Sequence, residues 1–265
     1  ADPRGMVALV CMVWLSLAAA QALSSPRVAT VRSRVLSRAQ GRRGAACAAT
    51  PTDKNLILIR HGETEMNSWL HRNPYRSNGF KDPGFYDTIL NQNGIAQAKS
   101  LNDKLRSQLM TDDGCDVDVV MVSPLTRTLQ TADYAFHGFE DTPRIVNPMI
   151  REKLWLSSDV GSHPSKLSKR FPHYDFTSLE DYWWYKGDCR SELEDWQIVR
   201  EEPNHKFVAR LEAFREELEQ RPENTIAVVA HWGVLNAMTG RDFRNCESHR
   251  CTLSALRKKF RAPGE

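Results

Sequence analysis

Residues 55–64 read NLILIRHGET, and the apolar run inside that stretch decides the fold. Leu56, Ile57, Leu58 and Ile59 follow one another with no polar residue between them. A strand with one wet face would alternate. An unbroken run of this length predicts a strand buried on both faces, as in a parallel sheet covered by helices on each side. The run ends in Arg60-His61-Gly62, so polar groups arrive where the strand stops. In open α/β sheets, ligands bind at the carboxyl ends of the strands.

Working outward, VDVVMV (117–122) and TIAVVAH (225–231) predict two more buried strands. RIVNPM (144–149) predicts a third, edge-like strand after the first, and CTLSALR (251–257) a final one. Residues 91–110 carry Ile95, Ala98, Leu101, Leu105 and Leu109 at helical spacing, with Asn91 placed to cap the start. Pro124 is expected to open a helix running to about 136. Residues 203–221 predict an amphipathic helix with Pro203 near its start and Phe207, Leu211, Phe214 and Leu218 on one face. The stretch 150–200 reads as irregular and rich in aromatics: Trp155, Trp183, Trp184 and Trp196. The alternation of strand and helix predicts one three-layer α/β domain with a mostly parallel central sheet flanked by helices on both faces.

Three of these strands deliver reactive side chains at the same sheet edge. Arg60 offers a planar fork matched to phosphate oxygens, and His61 beside it can act as ligand or nucleophile. Gly62 allows a close backbone approach. The second strand ends in Ser123-Pro124-Leu125-Thr126-Arg127, which sets a second Arg on the first turn of a helix, where anions are favoured. The last core strand ends in His231. Two Arg and two His so placed suit a dianionic phosphate, with neutral His61 attacking and Arg60, Arg127 and a protonated His231 stabilising the equatorial oxygens. An acid is needed for the leaving oxygen, and Glu152, just past the third strand, is the candidate.

This set of motifs resembles the histidine phosphatase superfamily in its phosphoglycerate mutase-like branch. The matching stretches are LILIRHGETEMN (56–67), DTILNQNGIAQA (87–98), VVMVSPLTRTLQTA (119–132), the region of Glu152 and TIAVVAHWGVL (225–235). Plant and fungal members share the Ser-Pro-Leu stretch and the late Asn245-Cys246-Glu247. The resemblance implies that His61 is the phosphorylated nucleophile and Glu152 the proton donor. Arg60, Arg127 and His231 would form the phosphate pocket, with Asn67 and Thr64 as further substrate contacts. It implies no cofactor and no metal, and a small phosphorylated substrate. The chain departs from the family pattern at Met66, Asn91 and Trp232, the last standing where Gly or Ser is usual. The body also reads as short for a cofactor-dependent mutase, which carries an extra insert and a C-terminal tail over the site. A phosphatase is therefore expected ahead of a mutase primed by 2,3-bisphosphoglycerate. A third reading is an inactive binding module of the same fold, motivated by Trp232 and the aromatic segment.

Residues 1–50 read as an address rather than as part of the domain, which is assigned to 51–265. From Met6 the chain runs MVALVCMVWLSLAAAQAL, like a secretory signal peptide, and then a stretch rich in Arg, Ser and Ala without acids, like a transit peptide. Together they resemble the bipartite presequence of algae with secondary plastids, which implies a plastid protein. The alternatives are secretory, endomembrane or mitochondrial targeting. A membrane anchor at 6–23 is weakened by Ser16 and Gln21, so no stable insertion of the mature domain is expected. The net charge of +3 belongs to this segment, which holds seven Arg and one acid, Asp2. The rest is net acidic and shows no basic stripe suited to nucleic acid. The 6 cysteines show neither CxxC pairs nor zinc spacing, which predicts free thiols. Oligomeric state is not legible in the sequence.

Overall fold

The computed structural model describes residues 53–111, 114–187 and 199–264. The expected targeting segment, Trp196 and Cys189 lie outside the described residues. A five-stranded sheet forms the centre, in the order β5-β4-β6-β1-β7. Its members are β1 (Asn55–Arg60), β4 (Val119–Val122), β5 (Arg144–Val146), β6 (Thr225–Ala230) and β7 (Ser248–Thr252). The first four run parallel, while β7 pairs antiparallel with β1 at the edge. A two-stranded hairpin, β2 (Met110–Thr111) and β3 (Gly114–Cys115), stands apart from it.

The reason for the three layers lies in the pleat. Successive residues of a strand point to opposite faces, and here both sets are apolar. Ile57 and Ile59 join Val120, Val122, Ala227 and Val229 on one face. Leu56 and Leu58 join Val119, Met121, Ile226 and Val228 on the other. Each face therefore needs helical cover. On the first it comes from α2 (Gln92–Leu109) and α3 (Thr126–Ala135), through Leu101, Leu105 and Leu129. On the second it comes from α5 (Asn204–Gln220) and α6 (Trp232–Thr239), through Phe207, Leu211, Phe214 and Val234. Each fully buried Phe or Leu contributes roughly 1.5–3 kcal/mol.

The helices expected near 91–110 and 203–221 are present, and Asn91 caps the first by accepting the Gly94 N–H at 2.8 Å. Three expectations need correction. The helix after β4 starts at Thr126 rather than Pro124, because the buried carboxylate of Asp87 reaches across the chain to cap it, accepting the Thr126 N–H at 2.8 Å and its hydroxyl at 2.7 Å. The third strand stops at Val146, and Pro148–Ile150 turns as a 3-10 helix. The last strand is Ser248–Thr252, not 251–257, since residues from Leu253 curl into another 3-10 turn. Two short helices were not expected: α1 (Glu65–Arg72) and α4 (Pro164–Arg170). Among the described residues no helix is long and apolar enough to cross a membrane, and Cys246 and Cys251 are free thiols.

Candidate active site

The sheet sets the site directly. β1, β6 and β4 are neighbours, with Arg60 opposite Ala230 and Val122 opposite Val229. The residues that follow these strand ends, His61, His231 and Ser123, therefore emerge side by side. The two imidazoles lie 5.2 Å apart between ring centroids, tilted by 56°. His61 is 4% exposed and His231 fully buried.

His61 Nδ1 lies 2.7 Å from the Gly62 carbonyl oxygen. A carbonyl can only accept, so Nδ1 carries the proton and Nε2 keeps its lone pair. Burial and the charges of Arg127 and Arg60 hold this imidazole well below its ordinary 6.5, so it is neutral at pH 7. Gly62 is needed here for closeness: a Cβ would stand 2.7 Å from the Gly94 carbonyl oxygen. Its N–H donates to Thr131 Oγ1 at 3.0 Å, and Thr131 donates to the Arg127 carbonyl at 2.7 Å. The His61 loop is thus tied to the helix that carries Arg127. From the other side, Asn245 donates to the His61 carbonyl at 3.0 Å.

His231 Nε2 is 2.7 Å from Ser123 Oγ, while Nδ1 is buried without a partner. Burial first, then Arg127 and His61, hold this ring well below 6.5 as well. Without a bound anion, the surrounding cations and the lack of solvent favour the neutral ring; the protonated His231 expected from the sequence belongs to a phosphate-bound site.

Arg127 is buried, donating to the Ser158 carbonyl at 2.5 Å and to Asp159 Oδ1 at 2.9 Å. Asp159 receives the Trp155 and Leu156 N–H groups on its other oxygen. Arg60 donates to the Phe243 carbonyl at 2.7 Å, and its Nε is buried without a partner.

Glu152 is also buried. One oxygen accepts the Lys153 N–H at 2.8 Å and the other the Gly233 N–H at 3.0 Å, in the first turn of α6. A helix N-terminus favours the carboxylate. Burial and the nearby Asp159 outweigh that and push the group up to about 7. Gly233 leaves room for it, since a Cβ there would sit 2.4 Å from Glu152 Oε1.

Thr64 and Asn67 both line the cleft above the histidines. Their side chains also cap α1: the Asn67 N–H donates to Thr64 Oγ1 at 3.2 Å, and the Thr64 N–H to Asn67 Oδ1 at 3.1 Å. Every residue expected at the site is thus present, His231 beneath the floor and the others lining the cleft. Sequence reading missed Asp159 as the partner of Arg127, Ser123 as the partner of His231 and Trp155 in the wall. Ser123 and Asn245 stood inside quoted motifs, whereas Asp159 gave no signal. Lys153 also lines the cleft. The basic residues Lys166, Lys169 and Arg170 lie on α4 and are not part of that lining. Pro263 and Gly264 line the cleft too, so the C-terminal segment does reach the site and the lack of such a segment no longer separates phosphatase from mutase.

The family model of the histidine phosphatase superfamily (branch 1) matches residues 56–248. A Schizosaccharomyces pombe protein named "Probable phosphatase SPAC513.02" is 27% identical over 197 residues, covering 69% of this chain and 76% of its own. A phosphoglycerate mutase-like protein of Arabidopsis thaliana is 25% identical over 224 residues, covering 73% of this chain and 76% of its own. Among solved structures, the alpha-ribazole phosphatase of Shigella flexneri superposes with a TM-score of 0.42 at 27% identity, covering 69% of this chain and 76% of that one.

Proposed function

The chain belongs to the histidine phosphatase superfamily, branch 1, and on that premise we propose that it hydrolyses phosphomonoesters through a phosphohistidine at His61. The observation that carries this is the Nδ1–H bond of His61 to the Gly62 carbonyl, which leaves Nε2 as an unprotonated nucleophile beside Arg60 and Arg127.

In the first step Nε2 forms a bond to phosphorus as the ester P–O bond breaks, and Glu152 gives its proton to the departing alkoxide. A carboxyl near 7 is matched to that task at neutral pH. Arg60 and Arg127 stabilise the equatorial oxygens. The phosphate's negative charge opposes the neighbouring cations at His231. His231, protonated once phosphate is bound, donates from Nε2 to Ser123 Oγ and presents Nδ1–H to the anion. In the second step the Glu152 carboxylate takes a proton from water, the oxygen bonds to phosphorus and the N–P bond breaks. Phosphate leaves and His61 is regenerated.

Charge favours a phosphatase over a mutase. Among the cations lining the cleft, Arg127 is paired with Asp159, and Lys153 and Arg76 both face Glu201. Among these, Arg60 alone makes no close ion pair among the described residues, with Glu152 and Asp242 acting on it only at longer range. That suits one phosphate better than a doubly phosphorylated primer.

The full chain should hydrolyse phenyl phosphate in EDTA and form an acid-labile, base-stable phosphoenzyme. His61→Ala should lose both, with turnover down by at least about 10³-fold. Turnover that survives His61→Ala sinks the reading.

A further inference from the structure

The cleft above the histidines has a volume of ≈ 570 Å³, the size of pocket that encloses a drug-sized molecule rather than a phosphate alone. Its floor is polar, and its upper walls set apolar faces beside a few charged groups. Met66 and Leu70 line it from α1, Trp155 and Leu156 from the segment after Glu152, Trp232 from the start of α6, and Pro263 from the C-terminal segment. The Trp155 and Trp232 rings lie 6.3 Å apart, inclined by 43°. Both are held in place: the Trp232 indole N–H donates to Asp242 at 3.0 Å, and Lys153 Nζ sits 5.0 Å from the centre of the Trp155 ring.

The charged groups of the upper cleft are already engaged with each other. Lys153 Nζ lies 2.9 Å from Glu201, and Arg76 lies 3.7 Å from the same carboxylate with most of its side chain in solvent. A second anionic group on the substrate would find these cations paired. An apolar body would instead cover two fixed indoles and the Met66–Leu70 wall, which gains by excluding water from them.

We propose that the preferred substrates are phosphomonoesters of a bulky, uncharged, largely apolar alcohol, whose body lies against Trp155 and Trp232 while its phosphate reaches His61. This rests on the phosphatase reading and names the substrate class for the same site. Trp155 and Trp232 are then specificity-determining residues.

The test compares initial rates of the full chain on 3-phenylpropyl phosphate, propyl phosphate, glycerol 3-phosphate and 3-phosphoglycerate. The first three release similar primary alkoxides, so differences among them report binding of the alcohol. The expected result is a kcat/KM for 3-phenylpropyl phosphate at least tenfold above each of the others. The ratio of phenylpropyl to propyl ester should fall severalfold in Trp155→Ala, chiefly through KM, and be largely restored in Trp155→Phe. Should Trp155→Ala fail to fold, Leu70→Ala gives the same ratio test from the α1 side of the lining. Equal or better turnover of propyl phosphate, glycerol 3-phosphate or 3-phosphoglycerate overturns this inference and leaves the phosphatase reading standing. Failure to hydrolyse any ester or to form a phosphoenzyme overturns both.

Discussion

Glu152 accepts the backbone N–H of Gly233 at 3.0 Å across 81 residues of sequence, which fixes a buried carboxyl pushed up to about 7 beside the helix that follows His231. The acid is thereby held in register with the histidine pair rather than on a free loop.

That placement predicts the pH profile. Glu152 must enter the first step protonated, so kcat/KM for an alkyl phosphate should fall as pH rises through about 7. Glu152→Gln should lower kcat by about 10²–10⁴-fold and remove that alkaline limb. A limb unchanged in Glu152→Gln would assign the proton donor elsewhere.

The histidines predict how stability depends on pH. Both are held well below 6.5 in the fold, so as pH falls through 6.5 the unfolded chain takes up protons that the native site refuses. Stability is therefore lost on acidification, by up to about 1.4 kcal/mol per pH unit for each ring. Glu152 acts oppositely between its ordinary 4.5 and about 7, where the native state keeps a proton the unfolded chain has released. Comparing variants separates the two. His61→Asn should gain stability relative to the parent as pH is lowered from 7.5 to 5, read from urea midpoints at each pH. A difference that stays constant with pH refutes the burial of a neutral His61.

Arg127 and Asp159 form a buried ion pair at 2.9 Å. Arg127→Met leaves Asp159 without its cation and should cost about 3–5 kcal/mol. Adding Asp159→Asn, which keeps a carbonyl oxygen for the Trp155 and Leu156 N–H groups, should recover more than half of that. Denaturant unfolding of the two variants decides it. Equal losses in both would show that Asp159 is not strained by losing Arg127.

Much of this architecture can be read from local pattern. The runs at 55–60, 119–122 and 225–230 are buried on both faces, so apolar continuity alone marks them as central strands. Arg60, His61, Arg127 and His231 followed because each adjoins such a strand. What escaped depends on tertiary contact. The helix at 65–72 buries only Met66 and is set by the Thr64–Asn67 capping box, so it has almost no periodic signal. The edge strand 248–252 has no fully buried residue, which is why the more apolar residues after it looked stronger. Asp159 gains its role only when the chain folds back over 32 residues to meet Arg127.

The order of strands carries a further consequence. His61, Ser123 and His231 are spaced by the hydrogen-bond ladder of three adjacent strands, whose neighbours stand about 4.8 Å apart. The reactive floor is therefore a property of the scaffold, while the walls come from helix α1, the segment from Trp155 and the C-terminal residues. Substitutions in the walls can therefore reshape what the cleft admits while the spacing of His61, Ser123 and His231 stays fixed by the sheet.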